Sequence, residues 1–114
     1  MINLEIIGRI GQDPKSMTLN DGRFCISFSV CDNVRTTDKT TGEIKEFPQW
    51  FSVSYFTKSD KVLQYLKKGV QVYVSGDFRI EEYRSDQSNR IRYSAQITAS
   101  RVQILTFDEK KDER

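Results

Sequence analysis

Trp50, Ser52, Ser54 and Phe56 alternate with Phe51, Val53 and Tyr55 in the run FPQWFSVSYF, a spacing that sends the two sets to opposite faces of a strand. The odd-numbered face is continuously apolar, as a core face is. The even-numbered face has two aromatic rings separated by two serines, and small polar residues between rings leave room for a flat ligand such as a nucleobase to lie against each ring. A second account stands beside the first: Trp50 and Phe56 are core as well, turned toward another layer inside a barrel. This strand alone leaves both accounts open.

Other chemistries find little to build on. The chain has no histidine, which removes the usual general base, the Ser-His-Asp and Cys-His arrangements, and the commonest metal ligand. Cys25 and Cys31 sit six residues apart in one predicted strand, roughly 20 Å at the usual rise. A disulfide needs Cα atoms within about 7 Å, so both are expected to be reduced thiols, and two isolated cysteines do not make a zinc site. A carboxylate-metal nuclease would have to use Asp and Glu alone, and these are scattered or, as in Glu81-Glu82, adjacent and on opposite faces of a strand. The expectation is a binding protein with no catalysis and no cofactor.

A chain of 114 residues is one domain's worth and can bury one core. Charged residues make up 30% of it, with a net charge of +2. The terminal DEKKDER holds four acids and three bases, leaving 15 basic against 12 acidic residues in Met1 to Phe107, so the body is slightly more basic than the whole. We therefore expect a binding domain over 1–107 and a short charged tail over 108–114. No apolar run is long enough to span a bilayer, and MINLEIIGRIG lacks the features of a secretory signal, from which a cytoplasmic location is expected.

The elements that must position the aromatic strand are legible from periodicity. Ile2, Leu4 and Ile6 alternate with polar residues and predict a first strand ending near Gly8 to Gly11, where Asp13-Pro14 breaks it. An extended piece from Lys15 to Leu19 leads to Asp21-Gly22, a tight-turn signal. Phe24, Ile26, Phe28 and Val30 form the buried face of a long strand, and the polar stretch from Asp32 to Glu46 reads as a long hairpin loop. After the aromatic strand, TKSDKVLQYLKKG predicts a helix: Thr57 and Asp60 resemble a capping box, Val62, Leu63 and Leu66 make an apolar stripe, and Lys67-Lys68-Gly69 suits a C-terminus. Val70, Val72 and Val74 begin another strand, which Gly76 bends or bulges and which runs to about Tyr83. The last strand carries Ile91, Tyr93, Ala95, Ile97 and Ala99 on one face, with a change of phase near Arg101. Five strands with one helix between the third and fourth describe an all-β OB-fold barrel, a fold that does not by itself decide function.

Several separated segments resemble the bacterial single-stranded DNA-binding protein family. They are GRIGQDP (Gly8 to Pro14), DKTTGEIKE (Asp38 to Glu46), Trp50, YLKKGVQVY (Tyr65 to Tyr73) with Gly76 soon after, and Asp86-Gln87-Ser88 ahead of Tyr93. The resemblance covers nearly the whole chain and rests on the order and spacing of these runs. It implies sequence-independent wrapping of single-stranded DNA by a homotetramer, with a dimer as the smaller alternative, in replication, recombination and repair. It also implies stacking residues, which by motif position fall on Trp50, Phe56 and Tyr83, and so favours the platform account of the aromatic strand.

The chain departs from that pattern in four places. No aromatic lies between Val34 and Thr41 where the family has a tryptophan, and Glu81-Glu82 stand where basic residues often precede the third stacking aromatic. Both changes predict weaker binding than in a typical member. Phe51 occupies a position that is histidine in some members, near subunit contacts. The chain ends at Arg114 without the Gly, Pro and Gln-rich extension and acidic Pro-Phe tip that recruits replication and repair proteins, so a short form is expected.

The phosphate-binding half of the site would draw on Arg9, Lys39, Lys45, Lys58, Lys67, Lys68, Arg79, Arg84, Arg90 and Arg92, because phosphate contacts need only positive charge within reach. For any one of them a solvated surface charge is the plainer account, and Lys67 and Lys68 also suit a helix C-terminus. The competing function is an OB-fold adaptor, primosome-type or RNA-binding, whose main partner is protein or structured RNA.

Overall fold

Six strands account for most of the chain in the computed structural model, which describes residues 1–84 and 90–106. They are β1 (Asn3–Ile10), β2 (Lys15–Thr18), β3 (Phe24–Thr37), β4 (Ile44–Thr57), β5 (Gln71–Arg84) and β6 (Ile91–Ile104). The sheet order is β1-β5-β6-β4-β3-β2, all neighbours antiparallel except β4 and β6. Pairing of Arg9 with Cys31 and Ile10 with Val30 joins β1 to β3 and closes the sheet into a barrel of five strands. β2 continues β1 along the same edge of β3: Ile10 faces Val30 and Lys15 faces Ser27, so residues 11–14 span only Phe28 and Ser29. The excess length there is the break that Asp13-Pro14 predicts.

The inward residues are those the alternation picks out. Ile26, Phe28 and Val30 of β3, Val53 of β4, Val72 and Val74 of β5 and Ile97 of β6 are all buried, each side chain of this kind stabilising the barrel by about 1.5–3 kcal/mol through removal from water. The Asp21-Gly22 turn forms as expected, with Gly22 at φ +90° and its N–H donating to the Leu19 carbonyl at 3.0 Å. The register between β5 and β6 slips at Gly76: Ser75 faces Arg101 but Gly76 faces Ala99, leaving Ser100 as an extra residue. That bulge shifts the inward positions from Ala95, Ile97 and Ala99 to Val102 and Ile104, the phase change expected near Arg101. Gly76 is obligatory there, since a Cβ would run into the carbonyl oxygen of Thr98.

Two expectations are corrected. The helix between the third and fourth strands is a single 3-10 turn, Lys61–Tyr65. Thr57 is taken up as the last residue of β4, opposite Phe24, and its hydroxyl accepts the N–H of Ser59 instead of capping a helix; Asp60 makes no side-chain cap. The residues left before Gly69 are too few for a stable α-helix on their own. Their tertiary task is to deliver Leu66, 1% exposed and extended in backbone, into the core. The loop is then pinned to β1: Gly69 N–H donates to the Ile10 carbonyl at 2.8 Å, and Arg9 Nη1 donates to the Gly69 carbonyl at 2.8 Å.

The second correction concerns Asp32 to Glu46. Most of this stretch is ladder, with β3 and β4 paired residue by residue from Asp32–Gln49 out to Thr37–Ile44, so that a long two-stranded arm leaves the barrel. Only residues 38–43 turn. Asp38 organises them: its carboxylate accepts the Thr40 N–H at 2.8 Å, its carbonyl accepts the Gly42 N–H at 2.7 Å, and Gly42 adopts φ +78°. The paired ends of β5 and β6 form a second arm; the turn expected over Arg84 to Asn89, including Asp86-Gln87-Ser88, and the tail over 108–114 lie outside the described residues apart from Arg84.

Candidate nucleic-acid interface

Cross-strand partners project to the same face of a sheet, so the register assembles the outward surface row by row. The first row is Met17, Cys25 and Phe56; the next is Lys15, Ser27, Ser54 and Thr98; then come Ser29, Ser52, Gln96 and Arg79; the last is Arg9, Cys31 and Trp50. Small and polar side chains therefore occupy the floor between the two rings. A groove of about 390 Å³ opens there, lined by Lys15, Ser27, Ser29, Ser52, Ser54 and Gln96 among others. Trp50 is 54% exposed and Phe56 41%, whereas Val53 between them is 2% exposed, so the rings stand on the outside of the barrel and the second-core account of this face fails.

Trp50 is supported along one edge. The six-membered part of the indole lies over Gly11, where a Cβ would collide with Cζ3 and Cη2. The second glycine of GRIGQDP thus makes room for the ring. At the other end, the Arg23 guanidinium carbon is 5.8 Å from the Phe56 ring centroid. Asp21 holds that arginine in place, accepting Nε–H at 2.8 Å and the Arg23 backbone N–H at 3.0 Å. These donors keep the Asp21 carboxyl below the usual aspartate range, the backbone N–H of Arg23 being the largest cause.

Of the expected site residues, Trp50, Phe56, Arg9, Arg79, Tyr83 and Arg92 share the groove face. Tyr83, 52% exposed, pairs with Arg92 on the second arm, two rows beyond Arg79 and Gln96. Arg79 is already engaged, its Nη2 donating to Glu81 at 2.9 Å and its Nη1 to Thr98 at 3.4 Å. Arg9 is tied to the Gly69 carbonyl by one of its nitrogens. Lys45 and Arg84 fall on the opposite faces of their arms, Lys45 in step with Phe47 and Arg84 opposite Ile91. Lys39 lies in the tip of the first arm, Lys58 follows β4, and Arg90 precedes β6. Lys67 and Lys68 sit in the loop before β5, where the Lys68 N–H donates to Asp13 at 2.9 Å, beside the groove.

Sequence reasoning passed over Lys15, Gln96 and Arg23. The alternation Lys15, Met17 was available as a signal, but β2 has no buried residue and so no apolar periodicity to fix its facing. Among the described residues no cluster of three or more His, Cys, Asp or Glu side chains could hold a metal ion, and no helix is long and apolar enough to cross a membrane.

A closed five-stranded barrel of OB type, with exposed rings and cations on one continuous face, defines a class of oligomer-binding modules. The model of the single-strand binding protein family matches residues 1–105. The single-stranded DNA-binding protein 1 of Xylella fastidiosa is 32% identical over 103 residues, covering 90% of this chain and 75% of that protein. The chain is a member of the single-strand binding protein family. Among solved structures, a Plasmodium falciparum SSB complex with ssDNA is similar at a TM-score of 0.75 and 25% identity, over 93% of this chain and 96% of that one. The small single-stranded DNA-binding protein of Streptomyces coelicolor shares the fold at a TM-score of 0.73 and 20% identity, over 96% of both chains.

Proposed function

We infer that this chain binds single-stranded DNA through the groove face, stacking bases on Trp50 and Phe56, and on Tyr83 farther along, with phosphates met by the surrounding cations. The observation that carries this is the serine-floored groove between two exposed rings. Stacking needs only a base's flat face, which every base offers, so recognition is largely indifferent to sequence. Family membership supports the same reading. The protein acts without catalysis, in the cytoplasm, covering single strands exposed in replication, recombination and repair. The binding unit is residues 1–107, and 108–114 form a short charged tail.

One barrel offers roughly 4 to 16 nucleotides of site, so wrapping a longer strand takes several copies, and a homotetramer is the assembly we propose, with a dimer as the smaller alternative. Affinities for poly(dT), RNA and duplex DNA of equal length test the function. The expected order has poly(dT) tightest; equal or tighter binding of RNA would favour the adaptor or RNA-binding alternative and refute this one.

A further inference from the structure

We propose that Arg23 is a phosphate seat at the Phe56 end of the groove, pre-positioned by Asp21 to hold the backbone of a nucleotide whose base lies on Phe56. This rests on the single-stranded DNA reading of the groove. Arg23 belongs neither to a strand of the barrel nor to the basic residues named above as phosphate contacts; it enters through geometry alone. The Asp21-Gly22 turn reverses the chain between β2 and β3, with Leu19 N–H donating to the Arg23 carbonyl at 2.7 Å, which fixes the Arg23 backbone at the rim of the groove face. Asp21 then uses both carboxylate oxygens on Arg23, one on the backbone N–H and one on Nε. Holding the guanidinium by Nε leaves its two terminal amino groups, the pair of donors that matches two phosphate oxygens, without a protein partner among the described residues. The same grip sets the guanidinium 5.8 Å from the Phe56 ring centroid, within the range of attraction to a ring face. A backbone phosphate lies within a few ångströms of its own base, so a base on Phe56 brings a phosphate within reach of this side chain. The arginine side chain is 47% exposed and its aspartate 55%, so the seat is open to a ligand.

The alternative occupant of the ring face is Arg23 itself, acting as a cover that a base must displace. Titration of oligo(dT) at a series of salt concentrations, with the parent, Arg23→Gln and Arg23→Lys, separates these. Each phosphate contact on a single strand contributes about 0.7 to the log-log salt slope. Arg23→Gln is expected to weaken binding and to lower the slope by about 0.7, so that its deficit against the parent shrinks by roughly 2.6-fold over a fourfold rise in salt. Arg23→Lys keeps the charge and is expected to keep the slope while losing part of the affinity, because a lysine cannot make the forked contact. An unchanged slope in Arg23→Gln, or tighter binding by it, overturns the seat while leaving the groove as the binding face. A parent that itself fails to bind oligo(dT) overturns the reading beneath it.

Discussion

Replacing Trp50 by alanine separates a stacking platform from a structural tryptophan, because the two roles predict opposite balances of lost affinity and lost stability. A fully buried Trp→Ala costs about 3–5 kcal/mol. Trp50 is 54% exposed, with the edge of its six-membered ring lying over Gly11, so just under half of that cost applies, about 1.4–2.3 kcal/mol. For a domain near 100 residues each kcal/mol lowers Tm by roughly 4–8 °C, and the variant remains folded at room temperature. Stacking of one base is worth about 1–3 kcal/mol, so Kd for oligo(dT) should rise by about 5- to 160-fold. Trp50 is also the only tryptophan, and quenching of its emission by oligo(dT) reads base contact directly in the parent chain. The expected results are strong quenching, a Kd raised at least about fivefold and a moderate drop in Tm. Absence of quenching, together with a variant that melts easily yet binds like the parent where folded, would refute the argument.

Light scattering at micromolar concentration is expected to give the mass of four chains, or two; a monomer would remove wrapping as the mechanism. Glu81 lies on the groove face and holds Arg79 at 2.9 Å, whereas Glu82 faces the other way, opposite Tyr93. Glu81→Lys should therefore tighten oligo(dT) binding at low salt and Glu82→Lys should do little, and equal effects would show that the second arm does not present this face to DNA. Gly76→Ala forces a methyl against the backbone of Thr98 and Ala99, which side-chain movement cannot relieve; overpacking of this kind costs about 1–3 kcal/mol, and an unchanged urea midpoint would mean that the bulge rearranges freely.

Alternation by itself determined the barrel strands and their inward faces, because a period of two is a local property and one-sided burial writes it directly into the order of residues. Trp50 and Phe56 were legible for the same reason: two rings out of phase with Phe51, Val53 and Tyr55 can only face away from them. The phase change near Arg101 was visible too, since an extra residue in a strand shifts the apolar pattern by one. The segment after Thr57 misled because a capping signal and an apolar stripe are also local, while what decided its shape was non-local: Thr57 belonged to a strand, and Leu66 had to reach the barrel core. The arm from Asp32 to Thr37 and Ile44 to Gln49 was hidden because neither of its faces is buried, so its ladder leaves no apolar alternation to read. Tertiary structure alone set Gly11 under the indole, Lys15 in the groove and Arg23 beside Phe56. Each of these depends on which strands lie side by side, and strand order is fixed by closure of the barrel, not by any one stretch of sequence.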